Sequence, residues 1–228
     1  MTRTDALRVP VAALVVLVVA AGLVGWATRD WYDDRAAEPR PATEVLSSGQ
    51  SVRPEGRTVI RVRVLPRGDL LVRHRIRTGK PMNSLAVSTP VDPNLAAAEV
   101  AARGLHLTAG DVLVKGAKTL RNGTSVFTFS ASTSVSLRYV LSGALERADP
   151  SDTRALARVT SLDLLPDAEQ GPVTYVFEGA RILNLACTRR GDVEPVPCGV
   201  RRGGDWVVDL PDPVADDFRV MAQLDLLR

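Results

Sequence analysis

From Ile60 to Arg77 the chain changes places between apolar and basic at almost every step. Ile60, Val62 and Val64 are interleaved with Arg61 and Arg63. After Pro66-Arg67-Gly68-Asp69, the residues Val72, His74 and Ile76 are interleaved with Arg73, Arg75 and Arg77. A strand sends successive side chains to opposite faces, whereas a helix would scatter this pattern around its axis. The segment therefore predicts a β-hairpin over 57–77, turning at Pro66 to Asp69, with one apolar face and one strongly basic face.

The same reading extends along the chain. Thr78-Gly79-Lys80-Pro81 predicts a turn and Leu85 to Thr89 a third strand. Residues 94–103 fit a short helix stopped by Gly104 or a strand equally well. Val112 to Lys115, Thr124 to Ser130 and Thr133 to Leu141 have strand character, with a turn at Asn122-Gly123. Ala155 to Leu165, Val173 to Glu178, Ile182 to Thr188, Trp206 to Leu210 and Phe218 to Leu226 complete the set. Many short strands separated by Gly, Pro and Asp predict an all-β region, a β-sandwich of Ig-like kind, or two small β-domains divided near 166–172. Aromatic residues make up only 4 % of the chain, so its core must rest on Val, Leu and Ala.

Ahead of this region, Val9 to Ala27 carries no charge and no polar face. A helix of that length roughly spans the ~30 Å hydrocarbon core of a bilayer. Arg3 and Arg8 precede the run, while Arg29, Asp30, Asp33, Asp34 and Arg35 follow it, with Trp26, Trp31 and Tyr32 at the far end. With the free amino group counted, the positive-inside rule puts the N-terminus in the cytoplasm. The expected order is a cytoplasmic tail over 1–8, a transmembrane helix over 9–27, a linker over 28–56 and an extracytoplasmic β-rich region over 57–228. A cleaved secretory signal is the rival, with Gly25-Trp26-Ala27 as its cleavage site. The run is longer than the usual signal core, which favours a retained anchor.

Cys187 and Cys198 are the two cysteines. In an oxidising compartment, a pair this close predicts a disulfide across a loop. The segment Leu183-Asn184-Leu185-Ala186-Cys187, with Arg189, also resembles the active-site strand of sortases. Those membrane-anchored bacterial transpeptidases have an all-β core. Their cysteine closes a Thr-Leu-x-Thr-Cys strand, and an arginine follows. The resemblance implies a Cys187 nucleophile. Ala186 stands where those enzymes have threonine, and neither His74 nor His106 has their glycine-His-arginine setting. A disulfide would consume the thiolate that such chemistry needs.

The net charge of +3 is unevenly spread. Residues 1–145 hold 19 basic and 11 acidic side chains; residues 146–228 hold 10 and 15. Between Arg53 and Lys80 there are nine cations and only Glu55 and Asp69 against them. The exposed hairpin face gathers Arg61, Arg63, Arg73, Arg75 and Arg77, a candidate site for anionic lipid or wall polymer. It lacks the interleaved aromatics that stack on bases, which argues against nucleic acid. The reading of His74 is a residue at the edge of the core, and His106 is expected at the surface. Asp209, Asp212, Asp216 and Asp217 lack the spacing of a calcium loop. No catalytic motif, metal-ligand spacing or cofactor loop is present. The expectation is a single-pass cell-envelope protein with a non-catalytic binding or scaffolding β-domain and no cofactor. Its partner would be an envelope protein or an anionic polymer. Arginine-heavy, Ala/Val-rich composition points to a bacterial source.

Overall fold

The computed structural model describes residues 56–90, 100–148, 151–189, 194–210 and 218–226. The expected tail over 1–8, the anchor over 9–27 and all of the linker except Gly56 lie outside the described residues. The described residues form fifteen strands in two sheets and no helix. Accordingly, none of their elements is a helix long and apolar enough to cross a membrane.

The alternating segment forms the expected hairpin. Strand β1 (Arg57–Val64) pairs antiparallel with β2 (Leu70–Ser88), placing Ile60 opposite His74 and Val62 opposite Val72. Gly68, in the turn between them, has a positive φ of 90°, a conformation glycine adopts without steric cost. The expected turn at Thr78 to Pro81 and the separate strand after it are corrected: β2 continues through both for 19 residues. Its register against β6 (Thr124–Ser142) shifts between Arg77 and Met82 and again between Met82 and Ser84. Thr78 Oγ1 donates to the Lys80 carbonyl at 2.6 Å, and Met82 re-enters the core with no exposure. The Gly-Lys-Pro signal is thus absorbed as an irregularity within a strand. Strand β6 likewise joins two expected strands into one, with Ser132 Oγ donating to the Ser134 carbonyl at 2.9 Å.

Strand β3 (Ala101–Ala109) resolves part of the ambiguous 94–103 segment as strand; residues 94–99 lie outside the described residues. It pairs with β6, with β4 (Val112–Val114) and with β5 (Thr119–Arg121). The expected strand over 155–165 is two strands in different sheets. Strand β8 (Ser151–Ala157) pairs with β7 (Leu145–Ala148), and β9 (Asp163–Pro166) pairs with β2. The crossing between them is held by side chains. Thr160 Oγ1 donates to the Val220 carbonyl, and the Leu162 N–H donates to Tyr139 Oη.

After 166–172 the chain returns to the same sheet. Strand β10 (Val173–Glu178) runs parallel to β1 and pairs on its other side with β14 (Asp205–Leu210), which pairs with β13 (Val200–Arg202). The larger sheet therefore reads β13-β14-β10-β1-β2-β6-β3-β4, with β5 on β3 and β9 on β2. The smaller sheet reads β12-β11-β15-β8-β7, with β11 at Ile182–Arg189, β12 at Val196–Pro197 and β15 at Phe218–Asp225. Ser51–Arg228 is one compact unit, and buried Val62, Val72, Leu137 and Phe177 of the larger sheet belong to one core with Ala157, Leu185, Val220 and Leu224 of the smaller. Burial of this apolar surface is the main favourable term in the fold.

Candidate functional site

Three arginines stand directly opposite one another across the middle of the larger sheet. Arg61 on β1 is paired with Arg73 on β2, and Arg73 with Arg138 on β6. Beyond Arg138 the row continues to His106 on β3. Adjacent strands lie about 4.8 Å apart, so four basic side chains cross four strands in one line. All four are exposed, because the residues on either side of each in sequence turn into the core. His106 joins the row through a local device. Gly104 has a φ of +63°, and the β3–β6 register shifts between Arg103 and His106. A glycine bulge of this kind re-aims the side chains that follow it.

Further cations flank the row. Arg75 lies two residues from Arg73 along the same face, Arg77 is opposite Arg57, and Arg63 and Arg103 are exposed nearby on β1 and β3. Neutralisation is sparse. Arg61 Nη1 is 3.1 Å from Glu178 Oε1, and Arg57 Nη2 donates to Thr174 Oγ1 at 3.3 Å. Arg63, Arg73, Arg75, Arg77 and Arg138 have no ion pair among the described residues. Like charges directly opposite one another destabilise a sheet, and an anion lying across the row would relieve that repulsion. The sequence-predicted arginines 61, 63, 73, 75 and 77 thus share one face. Arg138, Arg103 and His106 were missed because their strand neighbours are known only from the topology. The usable sequence signal was Leu137-Arg138-Tyr139, an arginine between two apolar residues.

Cys187 and Cys198 are joined, with their Cα atoms 5.7 Å apart. Cys187 is buried on β11, opposite Val196 of β12, and the Cys198 N–H donates to the Leu185 carbonyl. The bond closes this loop at the place where the chain leaves the smaller sheet for β13 of the larger one. Gly199 makes that passage possible: its φ is +81°, and a Cβ there would sit 3.0 Å from the Val207 carbonyl oxygen. With its sulfur in the bond, Cys187 holds no thiolate.

His74 is not at the core edge but fully buried within it. Its Nε2 lies 2.8 Å from Tyr139 Oη, and desolvation lowers its pKa from 6.5 to about 3. His106, by contrast, is exposed as expected. Asp209 pairs with Arg202 at 3.5 Å and accepts from Thr174 Oγ1 at 2.8 Å; Asp212, Asp216 and Asp217 lie outside the described residues. Among the described residues no group of three or more His, Cys, Asp or Glu is placed to hold a metal ion.

No family model matches the chain, and no curated protein matches it. Among solved structures it is similar to an aminopeptidase N family protein from Idiomarina loihiensis. That match has 12 % identity and a TM-score of 0.43, over 73 % of this chain and 29 % of that one. It is also similar to an M1 zinc metallopeptidase from Deinococcus radiodurans, at 10 % identity and a TM-score of 0.31, over 73 % and 41 %. The collagen binding domain of the Erysipelothrix rhusiopathiae surface protein RspB matches at 12 % identity and a TM-score of 0.23, over 76 % and 77 %. The chain spans less than half the length of either peptidase, and likenesses this weak carry no argument about its activity.

Proposed function

We propose that this chain is a single-pass, membrane-anchored protein of a bacterial cell envelope whose extracytoplasmic β-domain binds an anionic wall polymer. The two sheets are taken as a β-sandwich, supported by the core they share. The observation that carries the binding role is the Arg61–Arg73–Arg138 row, ending at His106, on an exposed sheet face. A row of exposed guanidinium groups, of which Arg73 and Arg138 have no ion pair among the described residues, suits a chain of phosphates or carboxylates lying across the strands. The uncharged run over 9–27 and the disulfide support an outward-facing domain near the membrane.

The domain acts by binding rather than by catalysis. The sortase-like alternative requires a reduced Cys187, and nothing in the site favours it. The test is cosedimentation of the full chain in detergent with purified anionic wall polymer, in parallel with neutral and anionic lipid vesicles. Retention by the polymer, lost when Arg61, Arg73 and Arg138 are all changed to Gln, is the expected result. Retention by anionic vesicles alone would transfer the role to lipid, and retention by neither would remove it.

A further inference from the structure

Two buried polar atoms have no hydrogen-bond partner among the described residues: His74 Nδ1 and Thr58 Oγ1. Both residues line one small cleft of about 40 Å³, together with Asp163, Gln170, Tyr175 and Arg219. Their residues are 0 % and 3 % exposed, so bulk water does not serve them. An orphaned buried donor or acceptor carries its full desolvation cost.

The proton on His74 is fixed by its neighbours. The Leu162 N–H donates to Tyr139 Oη at 2.7 Å, and the buried Tyr139 O–H is satisfied at this contact only by donating to His74 Nε2, 2.8 Å away. A neutral ring that accepts at Nε2 carries its hydrogen on Nδ1. The orphan on His74 is therefore a donor, and it needs an oxygen. Thr58 Oγ1 can both give and receive a hydrogen bond.

We propose that this cleft is a built hydration site, in which ordered water accepts the His74 Nδ1–H and hydrogen-bonds Thr58 Oγ1. The cleft exceeds the roughly 10–15 Å³ that a cavity needs to hold a water molecule. It is far smaller than the ~300 Å³ at which pockets for drug-sized ligands begin. The lining is polar enough to retain water: Gln170 Nε2 donates to the Leu164 carbonyl beside it, and the partly exposed Asp163–Arg219 pair, 3.1 Å apart, lies at its rim. The water would complete a chain from Leu162 through Tyr139 and His74 to Thr58, joining β1, β2 and β6 to the crossing segment.

The sign of one substitution tests this. Thr58→Val keeps the shape and removes the hydroxyl. If water occupies the site, Thr58→Val loses a satisfied bond and lowers the Tm of the full chain in detergent by about 2–4 °C, while Thr58→Ser retains most of it. An unchanged or raised Tm in Thr58→Val overturns the proposal, because a methyl group would then replace a hydroxyl that had no partner. A second readout needs no variant. The His74 Nδ1–H of the wild-type protein should show a nuclear Overhauser effect to long-lived water. Its absence, or a small organic molecule released on denaturation and seen by mass spectrometry, also overturns the proposal.

Discussion

His74 is held neutral by burial, and this has a defined consequence for stability against pH. Its folded pKa is about 3, below the unfolded value of 6.5. The unfolded chain therefore binds the extra proton first as pH falls, and stability present above about 6.5 is lost progressively towards pH 3. The difference in Tm between pH 7.5 and pH 4.5 should be larger for the wild type than for His74→Phe. Equal differences would show that His74 does not contribute. At Gly199 the constraint is steric. Gly199→Ala puts a Cβ against Val207 and Val208 at a φ of +81°, and a loss of about 1–3 kcal/mol in denaturant unfolding is expected. Neither constraint was legible in the sequence. His74 shows the parity of Val72 and Ile76, which gives its face but not its depth. Its partner Tyr139 is 65 residues away.

At the scale of elements, alternation was a sufficient guide to β1 and the first half of β2, and bounding turn residues to β10, β11, β14 and β15. Period-two burial is clean in β1 and from Val72 to Arg77 of β2, whereas β10, β11, β14 and β15 are short apolar runs bounded by turn residues and bury consecutive or irregularly spaced side chains. The signal failed where turn residues lie inside a strand. Gly79-Lys80-Pro81 looks like a turn and Ala131-Ser132 like a gap between two strands, yet β2 and β6 run past them because long-range pairing on both sides outweighs local turn preference. It failed again between Ala157 and Asp163, where Arg158-Val159-Thr160-Ser161-Leu162 holds no glycine or proline to mark the change of sheet. The disulfide was legible because two cysteines eleven residues apart leave one intramolecular pairing. Closing a loop of that length is worth about 2–3 kcal/mol on the chain-entropy model, so Cys187→Ala with Cys198→Ala should lower the Tm by about 4–12 °C. A melting temperature indifferent to the bond would mean that the passage from β12 to β13 is held by packing alone.

Over the whole molecule, charge is organised by topology rather than by sequence order. The hairpin contributes Arg61 and Arg73, but the row is completed by Arg138 and His106 from strands more than thirty residues further on. The sequence therefore revealed half of the candidate site, and strand order supplied the rest. The excess of basic residues in the first 145 positions would attract anions diffusely wherever they were placed. A specific role for the sheet face requires position to matter beyond net charge.

The most direct measurement is a salt titration of long-chain polyphosphate binding to the full chain in detergent. The variants compared are Arg61→Gln, Arg73→Gln and Arg138→Gln combined, and a charge-matched control carrying Arg147→Gln, Arg154→Gln and Arg201→Gln. The wild type should bind with an affinity that falls steeply as salt rises, since exposed charges are screened beyond about 8 Å at physiological ionic strength. The row variant should bind at least roughly tenfold more weakly, a loss of about 1.4 kcal/mol, while the control stays close to the wild type. Equal weakening of both variants, or of neither, would contradict the assignment of binding to the arginine row.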